Sequence, residues 1–127
     1  MPKVVVRFYR LGTRIPVLDW LDRADARTRH RARLAIVHLS QMGHELRRPM
    51  SATLRDGIHE LRFRVGAVNH RILYFFMERS AVVLSHHFTK QVARVPELEI
   101  QRAVLHRSQV LAAPRHFLHE ETNADPA

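Results

Sequence analysis

The chain has no cysteine, and that absence removes two possibilities at once. Without thiols there is no disulfide framework and no thiolate metal site, so a reducing compartment suffices for folding. Glycine is scarce, with four residues in 127, and no glycine-rich phosphate loop can be assembled from them. Lysine is almost missing: Lys3 and Lys90 are the only two among 21 cationic residues, the others being arginine. No apolar run approaches the roughly 18 residues that a membrane-spanning helix needs, so no membrane partner is expected. The first residues, Met1 to Arg7, carry a short apolar stretch without the long apolar segment or cleavage site of a secretory leader. A cytoplasmic protein is the expectation.

What is abundant is positive charge. The 21 Lys and Arg outnumber 12 Asp and Glu, for a formal net charge of +9 with histidines neutral. GC-rich codon usage would explain arginine in place of lysine, but not an excess of this size. An anionic partner is implied, either nucleic acid or an acidic protein that masks the surface. Arginine's planar fork of donors matches phosphate and stacks on bases, which suits RNA. None of the ten histidines falls in a recognisable ligand spacing such as HExxH, so neither metal nor small-molecule cofactor is expected.

At 127 residues with a 46% hydrophobic share, the chain has the material for one globular domain. Val4 to Tyr9 is β-branched and aromatic and reads as a strand. Pro16 suits a first helical turn leading into Val17, Leu18, Trp20 and Leu21. Asp25 is a suitable N-cap for a second helix, whose Ala32, Ala35, Ile36, Leu39 and Met42 form one apolar stripe before Gly43. Its other face carries Arg27, Arg29, Arg31, Arg33 and His30, a pattern that fits a solvated face or a contact surface. Beyond Pro49 the period changes to two. Leu61, Phe63 and Val65 alternate with Glu60, Arg62 and Arg64, and turns at Gly66-Ala67 and Glu78-Arg79-Ser80 separate three strands. Pro96 opens a final helix with Leu98, Ile100, Ala103, Val104 and Leu111. Residues 1–111 are therefore expected to form one α+β domain: a strand, two helices, a three-stranded antiparallel meander and a C-terminal helix, with the helices grouped on one side of the sheet. From Ala112 to Ala127 a frayed tail is expected.

The first hairpin permits an estimate of register. A loop centred on Gly66-Ala67 sets Arg62 opposite Arg71 and Arg64 opposite Asn69, with Leu61 against Ile72 on the other face. Like charges facing each other across a ladder are destabilising. Two explanations fit: a site that awaits an anion, or neutralisation by Glu60 on the same face. The third strand adds His86, His87 and Phe88, with Lys90 just beyond. A two-residue turn at Arg79-Ser80 would place His86 and Phe88 beside Arg62 and Arg71, and a three-residue turn would place His87 there. Such a set suits metal-free RNA cleavage, in which a 2′-hydroxyl attacks the adjacent phosphate. Arg62 and Arg71 fit charge stabilisation, His86 or His87 an acid or base, and Lys90 either role.

These residues also carry a family resemblance. Leu54-Arg55-Asp56-Gly57-Ile58-His59-Glu60-Leu61-Arg62 resembles the L-x-D-G-x-x-E-L-R segment of phage-derived, HigB-like toxins of the RelE/ParE superfamily. Arg71-Ile72-Leu73-Tyr74-Phe75 is similar to their Y-R-I-L-Y-F strand, with His70 in the first position. Leu84 to Lys90 resembles their L-L-H-G-F-x-K-K, and Pro96, Glu99, Ala103 and Arg107 match the closing helix. Pro16 to Leu21 fits the segment before the first helix. The resemblance spans roughly residues 5–111 and departs at His87, where a small residue is usual, and at Gln91, where a second lysine is common. It implies a RelE/ParE-like fold, an antitoxin encoded alongside, and inhibition of translation by cleavage of mRNA in the ribosomal A site. It assigns the RNA-facing surface to Arg62, Arg71, His86 and Lys90, the expected catalytic residues. Arg55, Arg64, His87 and Arg94 are expected as further nucleic-acid contacts from their charge and place in the chain. The arginine row from Arg27 to Arg33 is a candidate surface for antitoxin or ribosomal RNA, beside the solvated face that such a row more often is. Two other functions fit the same fold: a gyrase-inhibiting toxin, and a silent module that only binds RNA or protein.

Overall fold

The computed structural model describes residues 3–91 and 93–120. Strand β1 (Val5–Phe8) is followed by helices α1 (Pro16–Arg23) and α2 (Ala26–Met42), then by β2 (Ser51–Thr53), β3 (His59–Val65), β4 (Val68–Met77) and β5 (Ala81–Thr89), and finally by α3 (Glu97–Ala112) and α4 (Pro114–Phe117). The strands form one five-stranded sheet in the order β1-β5-β4-β3-β2. β3, β4 and β5 are the expected meander, while β1 lies parallel to β5 at one edge and β2 antiparallel to β3 at the other.

Local chemistry sets the helix ends. Pro16 occupies the first turn of α1, and Asp19 Oδ2 accepts from the Ile15 N–H at 3.0 Å. Asp25 caps α2 by accepting from the Thr28 N–H at 2.8 Å. Within the arginine row, Arg29 turns inward, donating to the carbonyls of Leu21 at 2.9 Å and Ala24 at 2.6 Å. It thus satisfies the end of α1. Arg27, Arg31 and Arg33 are exposed.

The helices do not share one side of the sheet. Val17, Leu21, Ala32 and Leu39 of α1 and α2 pack on Leu61, Phe63, Ile72, Tyr74, Val82 and Leu84. Ala103 and Val110 of α3 pack on Leu73, Phe75 and Val83 from the opposite face. The reason is that β4 and β5 are apolar on both faces, as the unbroken runs Ile72-Leu73-Tyr74-Phe75 and Ala81-Val82-Val83-Leu84 record, and each face must be covered. The expected architecture is further corrected at β2 and at the carboxyl end. Rather than fraying at Ala112, the chain forms α4 and returns to β1. The Arg10 N–H donates to the Phe117 carbonyl and the His119 N–H to the Phe8 carbonyl, each at 2.8 Å, and Leu118 is buried. The rest of the expected tail, residues 121–127, lies outside the described residues. No described helix is long and apolar enough to cross a membrane.

Candidate functional site

Strand alternation sends Glu60, Arg62 and Arg64 of β3 to the α3 face, and Asn69 and Arg71 of β4 to the same face. The observed register pairs Arg62 with Arg71 and Arg64 with Asn69, as the two-residue turn at Gly66-Ala67 predicts. Gly66 takes the positive φ, +60°, that such a turn demands.

The second hairpin reaches the same face by another route. Its turn holds three residues, with Met77 paired to Ala81, and this alone would set His87 opposite Arg71. A bulge between Leu73 and Tyr74 on one strand and Leu84 and His86 on the other shifts the register by one at Ser85. Beyond it Leu73 pairs with His86 and Arg71 with Phe88. His86 and Phe88 therefore lie on the Arg62 and Arg71 face, and His87 lies on the other. His87 stacks on Trp20 at 3.6 Å and its Nε2 is 2.9 Å from His70 Nδ1. The expectation that His87 touches nucleic acid alongside the arginines does not agree with this placement.

Glu60 organises the cationic face. Its side chain is 1% exposed, and Oε1 lies 2.6 Å from Arg62 Nε and 3.3 Å from Arg71 Nε. Neutralisation by Glu60 is thus real, but it is incomplete, because Arg62, Arg71 and Lys90 are three cations against one carboxylate. Arg71 Nε and Glu60 Oε2 are buried without a hydrogen-bond partner among the described residues. Burial lowers the Arg71 pKa, with Glu60 opposing and Arg62 assisting. Lys90 follows directly on β5, and its N–H donates to the Asn69 carbonyl at 2.8 Å. Desolvation lowers its ammonium pKa; Glu60 works against the shift, and Arg71, Arg62 and Arg48 add to it. Lys90 thus lies beside Asn69, two positions along β4 from Arg71.

His86 is on the right face but inside the fold. It is 3% exposed, with Nδ1 at 2.9 Å from Ser85 Oγ and Nε2 at 2.9 Å from Glu99 Oε1 of α3. Burial and the nearby Arg102 push its pKa down to about 4, and burial takes that of His87 to about 3. Both rings are neutral near pH 7, so the expectation that one of them titrates there as the acid or base is corrected. Ser85 Oγ also meets His106 Nδ1 at 2.6 Å, and this hydroxyl with its two rings fastens α3 to β5.

The outer arginines are dispersed. Arg55 is paired to Asp56 and to Glu97, Arg64 Nε donates to the Gly66 carbonyl at 3.0 Å, and Arg94 is exposed in the segment before α3. Among the described residues, no three His, Asp or Glu side chains converge as a metal site. Glu60 is the residue whose place between the two arginines sequence reasoning underrated. Its place two positions before Arg62 on one strand face was the available signal.

A family model for phage-derived Gp49-like proteins matches residues 19–107, from α1 into α3. The chain belongs to this family. Gp49-like proteins fall within the RelE/HigB-type toxin family. The Gp49-like segment contains Glu60, Arg62, Arg71, His86 and Lys90, whereas β1 and α4 lie outside it. No curated protein sequence matches the chain.

Proposed function

We propose that this Gp49-like protein is the toxin of a toxin–antitoxin pair, an endoribonuclease that cuts mRNA on the ribosome and so stops translation in the cytoplasm. The observation that carries the reading is the convergence of Arg62, Arg71 and Lys90 around one buried carboxylate. Cleavage by the RNA's own 2′-hydroxyl builds negative charge on a pentacovalent phosphate and needs one group to take a proton and another to give one. Arg62 and Arg71 stabilise the charge, and Glu60, which ion-pairs with both arginines, is a positioning residue. Lys90, with its lowered pKa, exchanges one of these protons, and solvent water exchanges the other. His86, neutral and held between Ser85 and Glu99, positions β5 against α3. Phe88, cross-strand from Arg71, offers a ring for a base. Arg55, Arg64 and Arg94 contact the RNA backbone around this centre. The ribosome supplies the substrate's orientation, and an acidic antitoxin masks the basic surface.

The test is a reconstituted translation reaction with purified protein, followed by primer extension on the message. Cuts confined to A-site codons are expected, reduced at least about a hundredfold in Arg71→Ala, the scale for removing one preorganised donor. Intact message with normal protein synthesis overturns the reading and makes gyrase supercoiling the next assay.

A further inference from the structure

On the α1 and α2 side of the sheet a cavity of about 490 Å³ opens between the end of α2, β2, and the paired strands β3 and β4. Its size is in the range of small-ligand sites. Rings form much of its wall. His44 stacks on Phe76 with centroids 3.7 Å apart, His59 meets Phe76 edge-on at 5.3 Å, and His59 lies over Tyr74 at 5.3 Å. Polar groups sit between the rings: Tyr74 Oη is 2.6 Å from Ser51 Oγ, and His59 Nδ1 is 3.1 Å from Thr53 Oγ1. Arg47 and Arg48 are exposed on the rim, and no lining residue is acidic. The nearest carboxylate in sequence, Glu45, is paired to Lys3 at 2.7 Å.

Aromatic walls, hydrogen-bonding hydroxyls and a cationic rim are the requirements of an aromatic anion; Glu45, the carboxylate that acts on Arg47, is itself held by Lys3. The pocket lies on the sheet face opposite the cationic cluster, and the β2 edge is the way from one to the other. The Arg62 N–H donates to the Met50 carbonyl at 2.9 Å, so the segment that follows Arg48 lies against the strand carrying Arg62. Arg48 is likewise close enough for its charge to act on Lys90. It therefore stands at the sheet edge between the two sites.

We propose that this pocket is a nucleotide subsite, taking one base of the RNA against His44, His59 and Phe76 and its phosphate on Arg47 and Arg48. The inference rests on the RNA-cleaving reading and extends it, since a base held here orients the strand whose neighbouring phosphate lies at Arg62 and Arg71. Stacking on rings tolerates any base.

The full chain carrying Arg71→Ala, in which the probe is not consumed, is titrated with adenosine 5′-monophosphate while the imidazole resonances of His44 and His59 are followed. A fluorescent hexaribonucleotide measures RNA affinity in parallel. Saturable shifts of both rings are expected, with ribose 5-phosphate at least about fivefold weaker. His44→Ala and Arg48→Ala, both at exposed positions, should each weaken RNA binding at least about fivefold. Inorganic phosphate acting as well as the nucleotide, or equal RNA affinity in both variants, overturns the proposal. Cleavage of translated message is scored separately. A chain that cuts message but ignores the nucleotide loses only the pocket, and one that binds it but leaves message intact loses only the nuclease.

Discussion

Glu60 Oε1 accepts from Arg62 Nε at 2.6 Å, and Arg62 keeps 24% of its side chain exposed while Glu60 keeps 1%. The pair is therefore a buried anion under a half-open cation, with Arg71 at 3.3 Å as the second partner. Removing the carboxylate leaves two guanidiniums facing each other across the ladder, one of them buried. Breaking a buried ion pair from one side costs about 3–5 kcal/mol. Glu60→Gln, which keeps the shape, should lower stability by about 3 kcal/mol in urea unfolding. A change under about 0.5 kcal/mol would show that the carboxylate does not hold the arginines.

Lys90 separates charge from proton transfer. Its pKa lies below the usual 10.5 through desolvation and the neighbouring arginines, against the pull of Glu60. If the neutral amine takes the 2′-hydroxyl proton, the cleavage rate should rise with pH and level off below pH 10.5. Lys90→Arg keeps the cation but does not titrate in this range. It should bind RNA within about twofold of the original and lose the pH-dependent rise. A variant with an unchanged pH–rate profile would assign the proton transfer elsewhere.

Two buried rings and one half-buried ring make the fold acid-sensitive. Burial first, with nearby charges, holds His86 at about 4 and His87 and His106 at about 3, below the 6.5 of the free ring. The unfolded chain takes up protons first, so their stabilising effect is complete above about pH 6.5 and declines as pH falls toward 3. Each ring contributes a slope of about 1.4 kcal/mol per pH unit in that window. Three together give about 4 kcal/mol per unit, enough to unfold a domain of ordinary stability, 5–15 kcal/mol, near about pH 4–5. His106→Gln should remove about a third of the slope. Stability that stays level from pH 7 to pH 4.5 in thermal scans would contradict the burial argument.

Much of the candidate site could be read in advance because its geometry is local. A two-residue turn at Gly66-Ala67 dictates which residues face each other, so Arg62 opposite Arg71 follows from counting. Caps and apolar spacing likewise announce α1, α2 and α3 within a few residues. The second hairpin resisted the same counting. Its three-residue turn and the bulge at Ser85 each shift the register by one, and only together do they return His86 to the arginine face. The Ser85 hydroxyl meets His106, 21 positions on in the chain, and no local pattern signals that partner.

What the amino-acid order decides alone is whatever acts over a few residues: the strand and helix periods, the caps, the first hairpin's register and the surplus of arginine. Burial and pairing between distant segments belong to the assembled fold. Helices on both sheet faces take His86 and His87 out of water and so set their protonation. The return of the chain through Leu118 to β1 gives order to the stretch just beyond α3. Closure of β2 onto β3 brings Arg48 and the ring-lined pocket to the edge of the cationic face. Desolvation and long-range charge depend on which segments meet, and those meetings exist only once the sheet is covered.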